Sequence, residues 1–265
     1  MFIGEAVGLQ VKKVTVEDLG STFCCAYEFP PGVDWAEYLP VAREWFKANL
    51  GRHIEGYHLL DGNRVVGLVY WARSENALLP YIVEPRVACI YCTELLRDYK
   101  HKGHGRTMLD YVKNDLNQQG FKGILVPATD LKVYMHYKDF EKQGFKIIKE
   151  QPPIKLMYYP LKKKKITIKI VDLNYKPAVD KVEVTLFRNF MCPVNVGMYN
   201  MIKKVAESFG DKTKITEKDV TLETVRKYGT TDPLINGKMK FWGPVPEKTV
   251  QTAIQEEVNH LTNKG

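Results

Sequence analysis

The sequence predicts an α/β protein of two domains, a larger one built on a mixed sheet and a smaller one after it. Three observations support this. The chain has 265 residues, which is long for one compact domain. Strand-like and helix-like patterns alternate in both halves. A lysine-rich run, LKKKKITIKI at 161–170, joins two strand-like segments. We therefore expect domains at residues 1–160 and 166–265.

The N-terminal half is predicted to alternate strands with helices. Its segments in order are a helix near WAEYLPVAREWFKANL, strands in IEGYHLLDG, RVVGLVYWAR and RVACIYCTELL, a helix from Gly105, a strand in GILVPA, a helix in VYMHYKDFEKQ, and strands in FKIIKE and IKLMYYPL. The helix from Gly105 places Met108, Leu109, Val112 and Leu116 at helical spacing. Gly120 and Gly144 supply helix stops. This order is typical of a mixed layered arrangement.

The C-terminal half is predicted to follow the order βαβαββα. Its segments are the strand VEVTLFR, a helix, the strand KTKITEKDV, the helix TLETVRKYG, the strands DPLING and KMKFWG, and a last helix. Asn236 and Gly237, which lie between two apolar runs, predict a two-residue hairpin turn.

Composition narrows the classes of function. The 39 Lys and Arg against 31 Asp and Glu give a net charge of +8, which suits anionic ligands. No nucleic-acid motif accompanies the charge, and no apolar stretch approaches the length of a membrane span. The five cysteines are an odd number in a chain without an export signal, and the pair Cys89 and Cys92 has no partner pair for zinc. We expect a cytoplasmic protein with reduced thiols and no nucleic-acid or membrane partner.

A cationic glycine loop, from Lys100 to Arg106, follows a strand and opens a helix. A helix N-terminus exposes backbone N–H groups and the positive end of its dipole, and glycines let a ligand approach the main chain. The loop therefore predicts an anion site suited to a pyrophosphate. A tight strand-to-helix turn with solvated lysines is the alternative.

This arrangement resembles the GNAT superfamily of acyl-CoA-dependent N-acetyltransferases over about residues 10 to 160. In the family loop Gln/Arg-x-x-Gly-x-Gly/Ala, Lys100 takes the first position here and Gly103 and Gly105 take the two small ones. The later EKQGFK matches the family's Glu-Lys-x-Gly-Phe ending. The resemblance implies acetyl-CoA as co-substrate, with the main chain of Leu95 and Leu96 holding the pantetheine and the acetyl carbonyl. The backbone groups it assigns to the pyrophosphate are those of His101, Lys102, Gly103, His104, Gly105 and Arg106.

Acetyl transfer to an amine requires a base, and Glu94 is the candidate. Strand alternation places Cys92 and Glu94 on one face with Ile90. An ion pair between Glu94 and a nearby lysine is the alternative interpretation. Many GNAT enzymes carry a tyrosine as the acid for the departing thiolate and an asparagine that touches CoA, but Phe140 and Val133 stand at those two positions. Tyr137, one helical turn before Phe140, could replace the tyrosine.

Two further cysteines, Cys24 and Cys25 in STFCCAYEF, could face the acceptor pocket together with Cys92. Such a thiol-lined site would suit a soft metal or a thiol substrate. The alternative is that these residues are buried small hydrophobes.

The C-terminal half resembles the thioredoxin-like fold of glutaredoxins. Thr231-Asp232-Pro233 is similar to their Thr-x-Pro, whose proline is cis and borders the ligand, and Met191-Cys192-Pro193-Val194-Asn195 is similar to their Cys-Pro-x-Cys or Cys-Pro-x-Ser. Because Asn195 replaces the second cysteine or serine, a dithiol cycle within this motif is excluded. Cys192 could still have a lowered pKa at a helix N-terminus. A domain kept for binding or assembly is the alternative.

Nearly the whole chain resembles the bacterial YoaP-like family of N-acetyltransferases, which also carries CCA near its start. The sequence therefore predicts transfer of acetyl from acetyl-CoA to an amine of unidentified structure, and a homodimer is compatible with it. Two alternatives remain open. One is a non-catalytic sensor of acyl-CoA, metal or thiol, and the other is a monothiol redox module centred on Cys192.

Overall fold

The chain divides into two compact units. The computed structural model describes residues 8–28, 35–132, 134–177 and 180–262. Among these, the first unit contains 8–28, 46–77 and 83–168, and the second contains 35–45, 78–82 and 169–262. Two short segments of the N-terminal half are thus grouped with the C-terminal residues. Each unit has its own cluster of buried apolar side chains.

The helices and strands alternate along the chain. In order they are β1 (Gln10–Lys13), α1 (Leu39–Asn49), β2 (Glu55–Asp61), β3 (Arg64–Arg73), β4 (Tyr81–Val83), β5 (Val87–Leu95), α2 (His104–Gln118), β6 (Gly123–Thr129), α3 (Tyr137–Glu141), β7 (Lys146–Gln151), β8 (Ile154–Pro160), β9 (Ile168–Ile170), β10 (Val182–Arg188), α4 (Pro193–Ser208), β11 (Thr213–Asp219), α5 (Leu222–Tyr228), β12 (Leu234–Ile235) and α6 (Glu247–Thr262).

The first unit is built on a mixed sheet of seven strands in the order β1-β2-β3-β5-β6-β8-β7. Strands β5 and β6 are parallel neighbours, and the other neighbours are antiparallel. Helix α2 connects β5 to β6, and its predicted apolar stripe is buried in the core: Met108, Leu109, Val112 and Leu116. The predicted mixed α/β fold is confirmed.

Of the helix predicted at residues 133–143, only the five residues of α3 are helical among those that the structure describes there, 134–143. The preceding backbone is held by β6 instead. Thr129 N–H donates to the carbonyl of Met135 at 2.9 Å, and Met135 has a φ of 43°, in the left-handed region. A residue in this conformation interrupts a right-handed helix, so α3 begins only after it.

The second unit has a sheet of three strands in the order β11-β10-β12. Strand β11 is parallel to β10, and β12 is antiparallel to it. Helices α4 and α6 pack on β10 through buried side chains that include Ile202, Val205, Val250 and Ile254. In the part of the chain that the structure describes, no helix is long and apolar enough to cross a membrane.

The predicted hairpin turn forms at Asn236 and Gly237, which have φ values of 51° and 74°. The strand predicted after it, KMKFWG, does not form, and pairing is limited to a bridge between Ile235 and Lys238. Gly243 then takes a φ of 73°, and the proline that follows has no N–H group for a ladder. The second unit therefore follows the order βαβαβα.

Candidate functional site

Strand β5 contains a β-bulge that rearranges the candidate catalytic residues. Its register pairs Cys92 with Tyr70 but Ile90 with Trp71, so one extra residue lies between them. Tyr70 and Trp71 are consecutive and point to opposite faces of the sheet. The prediction that Cys92 and Glu94 share a face with Ile90 is therefore wrong for Ile90, which is buried in the core with α2. Cys92 and Glu94 lie together on the other face.

The parallel strands β5 and β6 separate before they end. Their pairing runs from Val87 with Gly123 to Cys89 with Leu125 and stops there, although β5 continues to Leu95 and β6 to Thr129. The opening lies at the carboxyl ends of two parallel strands, the edge at which α/β folds bind ligands. Helix α2 begins shortly after β5 at the same edge.

The loop before α2 contains consecutive backbone N–H groups that make no hydrogen bond within the described protein. Among the described residues, the backbone N–H groups of 101–105 donate to no protein acceptor, whereas that of Arg106 donates to the carbonyl of Gly103 at 2.9 Å. Gly103 has a φ of 85° and precedes the first helical residue. Five of the six backbone groups predicted to hold a pyrophosphate thus remain available, and Arg106 could contribute only its side chain.

Other contacts fix the start of this loop. Arg97 N–H donates to the Glu28 carboxylate at 2.7 Å, and the Tyr99 hydroxyl donates to Asp61 at 2.5 Å. In the main chain, Leu96 N–H donates to the carbonyl of Val66 at 2.9 Å, and the Leu96 carbonyl accepts from Tyr99 N–H at 2.9 Å. Both main-chain groups of Leu96 are therefore already hydrogen-bonded within the protein, whereas the resemblance implied that they hold the pantetheine or the acetyl carbonyl.

Glu94 is engaged by two neighbours. Its carboxylate lies 2.6 Å from Lys100 Nζ and accepts a hydrogen bond from Leu95 N–H at 3.2 Å. The ion pair that the sequence offered as the alternative to a base is therefore present. Because the Leu95 N–H bonds only a neighbouring side chain, movement of that side chain would release it.

Cys24, Cys25 and Cys92 all lie near Tyr70. Burial raises the pKa of Tyr70 well above its ordinary value, and the three nearby thiols add to the rise. Burial also raises the pKa of Cys24 to about 12, with a smaller contribution from the charge of Glu94. Cys24 is therefore a poor nucleophile at neutral pH. In the described residues, no three His, Cys, Asp or Glu side chains are arranged to hold a metal ion.

Tyr70 and His58 were not identified from the sequence. Phe23 N–H donates to Tyr70 Oη at 3.0 Å, and Tyr70 Oη lies 3.2 Å from His58 Nε2. The Tyr70 hydroxyl thus joins Phe23 of one segment to His58 of another. Burial lowers the pKa of His58 to about 4. Three separate segments meet here, and no local pattern in the sequence indicates that contact.

The candidate acid Tyr137 is the first residue of α3. It packs against the core of the first unit, and Lys155 Nζ lies 5.0 Å from the centre of its ring. Phe140 is 2% exposed and packs edge-on against Phe145. Val133, at the predicted asparagine position, lies outside the described residues.

In the second unit, Cys192 immediately precedes helix α4. Burial raises the pKa of its thiol, although backbone N–H groups of Val194 and Asn195 act in the opposite direction. The lowered pKa anticipated for a cysteine at this position is wrong because burial outweighs the helix terminus. Pro233 and Asn195 line a groove whose lining does not include Cys192.

The glutaredoxin resemblance also implied a cis peptide before Pro233. Among the described residues the only cis peptide joins Pro152 and Pro153. The peptide between Asp232 and Pro233 is therefore trans.

The comparisons with known proteins find similarity to N-acetyltransferases. No family model matches. The chain is 24% identical over 213 residues, 76% of its length and 78% of the relative's, to the "Uncharacterized N-acetyltransferase YoaP" of Bacillus subtilis. This match confirms the predicted similarity to YoaP-like N-acetyltransferases.

Solved acetyltransferase structures align with little more than half of the chain. The PaiA N-acetyltransferase of Thermoplasma acidophilum, in complex with coenzyme A, covers 58% of this chain and 99% of its own at 14% identity and a TM-score of 0.42. The ribosomal-protein-S18-alanine N-acetyltransferase of Escherichia coli covers 60% and 97% at 13% identity and a TM-score of 0.42. The GNAT family N-acetyltransferase YhbS of Escherichia coli, in complex with CoA, covers 61% and 86% at 13% identity and a TM-score of 0.43.

Proposed function

We propose that the chain is a GNAT-type N-acetyltransferase that moves acetyl from acetyl-CoA to an amine. The observation that carries the proposal is the run of unbonded N–H groups at 101–105, which opens a helix of fifteen residues beside the gap between β5 and β6. Successive N–H groups at a helix N-terminus are suited to a pyrophosphate. Similarity to YoaP over most of the chain supports the same activity.

The loop fits the phosphates of acetyl-CoA in shape and charge. A Cβ added to Gly103 would meet no atom within 4 Å, so the space in front of the main chain is open. Arg97, Lys102 and Arg106 are exposed and form no ion pair with any described residue. Acetyl-CoA would supply the acetyl group as a thioester.

In this proposal Glu94 acts as the base once Lys100 leaves it. The phosphates of the co-substrate offer Lys100 a second anion, so binding would weaken the ion pair. The freed carboxylate then takes the proton of the incoming ammonium, directly or through water. Movement of the Glu94 side chain toward the amine would also release the Leu95 N–H, which could then donate to the carbonyl oxygen as negative charge develops there.

Departure of the thiolate needs less help from an acidic side chain. Tyr137 is the candidate acid in place of a tyrosine at Phe140. A thiol has a pKa of about 8.5, so a thiolate can leave without a strong acid. The reaction therefore depends more on Glu94 than on Tyr137.

Calorimetric titration with acetyl-CoA tests the loop assignment, with ATP as the control ligand. We expect micromolar acetyl-CoA affinity, about 8 kcal/mol, in the unaltered chain. Gly103→Glu should abolish it, because the new carboxylate enters the phosphate site. Gly51→Glu is the matched control, since Gly51 also has a positive φ, of 78°, and open space around it. Unchanged affinity in Gly103→Glu would refute the assignment.

A second candidate function is an acyl-CoA or thiol sensor without transfer. Two observations favour it. Lys100 forms an ion pair with the carboxylate of the candidate base, and three cysteines, Cys24, Cys25 and Cys92, lie near Tyr70. The two functions differ in whether bound acetyl-CoA is consumed when amines are added.

We also infer that the second unit is thioredoxin-like. The parallel connection from β10 through α4 to β11, followed by antiparallel β12 and helix α6, supports this. A monothiol redox role for Cys192 has less support, because burial raises the pKa of the thiol and favours its unreactive form.

A further inference from the structure

A small groove in the second unit has apolar walls and a polar end. It lies beside the first turns of α4 and the segment before β12, with a volume of about 70 Å³. Phe187, Met198 and Phe241 contribute to the walls, and Asn189 and Asp232 contribute to the polar end. Everything that lines the groove belongs to the second unit.

Asp232 is the one charged residue among the described residues that line the groove. Its own N–H donates to Thr230 Oγ1 at 2.9 Å, but no described residue donates to its carboxylate or pairs with it. Burial raises the pKa of this carboxylate to about 6, which leaves it mostly ionised at neutral pH. Asp232 is half-buried, a carboxylate in such a place without a partner is costly, and a cation would remove that cost.

Asn189 adds a second acceptor without a partner. Its Oδ1 is buried and accepts no hydrogen bond in the described structure. The hydroxyl of Tyr199, also in the groove, donates to Glu217 and so directs its proton away. The groove thus offers hydrogen-bond acceptors and one negative charge. An alkylammonium has three N–H donors and a positive charge, which complements both.

We propose that this groove binds a small cationic amine. The ammonium donates to the Asp232 carboxylate and to Asn189 Oδ1, and the carbon chain contacts Phe187, Met198 and Phe241. The volume accommodates roughly two water-sized groups, so the ammonium and its first carbons enter and the rest of the ligand stays outside. This site is separate from the acetyl-CoA loop, so its occupancy does not depend on the proposed transfer.

Titration of the full-length chain with n-butylammonium chloride, followed by NMR, tests the proposal. We expect saturable binding in the millimolar range and none by n-butanol or sodium butyrate at equal ionic strength. Asp232→Asn keeps the shape and removes the charge, and should weaken binding at least about tenfold. Asp211→Asn, an exposed acid of the same unit, should bind like the unaltered chain. Asn189→Leu keeps the charge and should weaken binding several-fold.

A thermal unfolding scan shows whether these variants fold. Since Asp232→Asn removes a half-buried carboxylate without a partner, the midpoint of unfolding should rise. Such a rise is typical when a residue is retained for binding at the cost of stability. Two results would overturn the proposal: butylammonium binding no better than butanol, or full binding by Asp232→Asn.

Discussion

Glu94 makes structural contacts and is also the candidate base. Its carboxylate closes an ion pair with Lys100 at 2.6 Å and caps the Leu95 N–H. Both contacts are made by the same oxygen, Oε1, which cannot take a proton from an amine while Lys100 and Leu95 hold it. Catalysis through Oε1 therefore requires a state in which Lys100 has another partner.

Glu94→Gln separates these roles. Glutamine can still accept from Lys100 and Leu95 but cannot take a proton. We expect kcat to fall by about 10²–10⁴-fold, with the acetyl-CoA affinity from calorimetry little changed. Asp98→Asn removes an exposed acid three residues after the β5 strand and should leave both quantities unaltered. A Glu94→Gln variant with unaltered kcat would show that Glu94 is structural only.

His58 makes the first unit sensitive to acid. Burial lowers its pKa to about 4 in the folded state, against about 6.5 in an unfolded chain. The unfolded state therefore binds more protons between these values, and stability falls as the pH drops from about 6.5 to 4. The loss attributable to His58 should approach about 3 kcal/mol.

His58→Gln tests this contribution, because glutamine can accept from Tyr70 but does not titrate. Equilibrium unfolding in denaturant at pH 7 and pH 4 gives the free energy of unfolding for both proteins. The difference between the two pH values should be about 3 kcal/mol smaller in the variant. Equal pH dependence in the two proteins would mean that His58 titrates normally in the folded chain.

At the scale of elements, local patterns predicted more than long-range pairings did. The strand β3 and the start of α2 depend on neighbouring residues, and the structure has them. The bulge in β5 depends on pairing with β3. No spacing within RVACIYCTELL reveals it, so the face of Ile90 was assigned wrongly.

Two other elements also differ from the prediction because of contacts that their own sequences do not indicate. Helix α3 is shortened because Thr129, in another element, bonds the backbone of Met135. The strand after β12 is missing because only Lys238 bridges back to Ile235. In the candidate site, the loop at 101–105 could be predicted from its glycines and cations. The cluster of cysteines around Tyr70 was only partly predictable, since Tyr70 and His58 join it through the tertiary fold.

At the scale of the whole molecule, composition and order of elements indicated two α/β parts but not how the chain is shared between them. The lysine run suggested one cut near residue 161. In the structure, residues 35–45 and 78–82 belong with the C-terminal unit. Trp35 packs against the core of that unit, and a Cβ on Gly197 of α4 would overlap its ring. Trp35 and Gly197 are 162 positions apart in the sequence, so neither local segment indicates their contact.

This organisation can be tested by a double-mutant cycle on Trp35 and Gly197. In the unaltered chain, Gly197→Ala forces a methyl group into the Trp35 ring and should destabilise the second unit by about 1–3 kcal/mol. In a Trp35→Ala background the ring is gone, so the cost should fall by more than about 1 kcal/mol. Part of the cost should persist, because Tyr38 also approaches that position, at 2.7 Å.

The free energies come from denaturant unfolding of all four proteins. Gly210→Ala serves as a control, because Gly210 lies in the same unit and a Cβ there would meet no atom within 4 Å. Its cost arises from its positive φ of 55° alone and should be the same with and without Trp35. If Gly197→Ala likewise costs the same in both backgrounds, Trp35 does not pack on α4. The second unit would then begin after the lysine run, as a continuous stretch of chain.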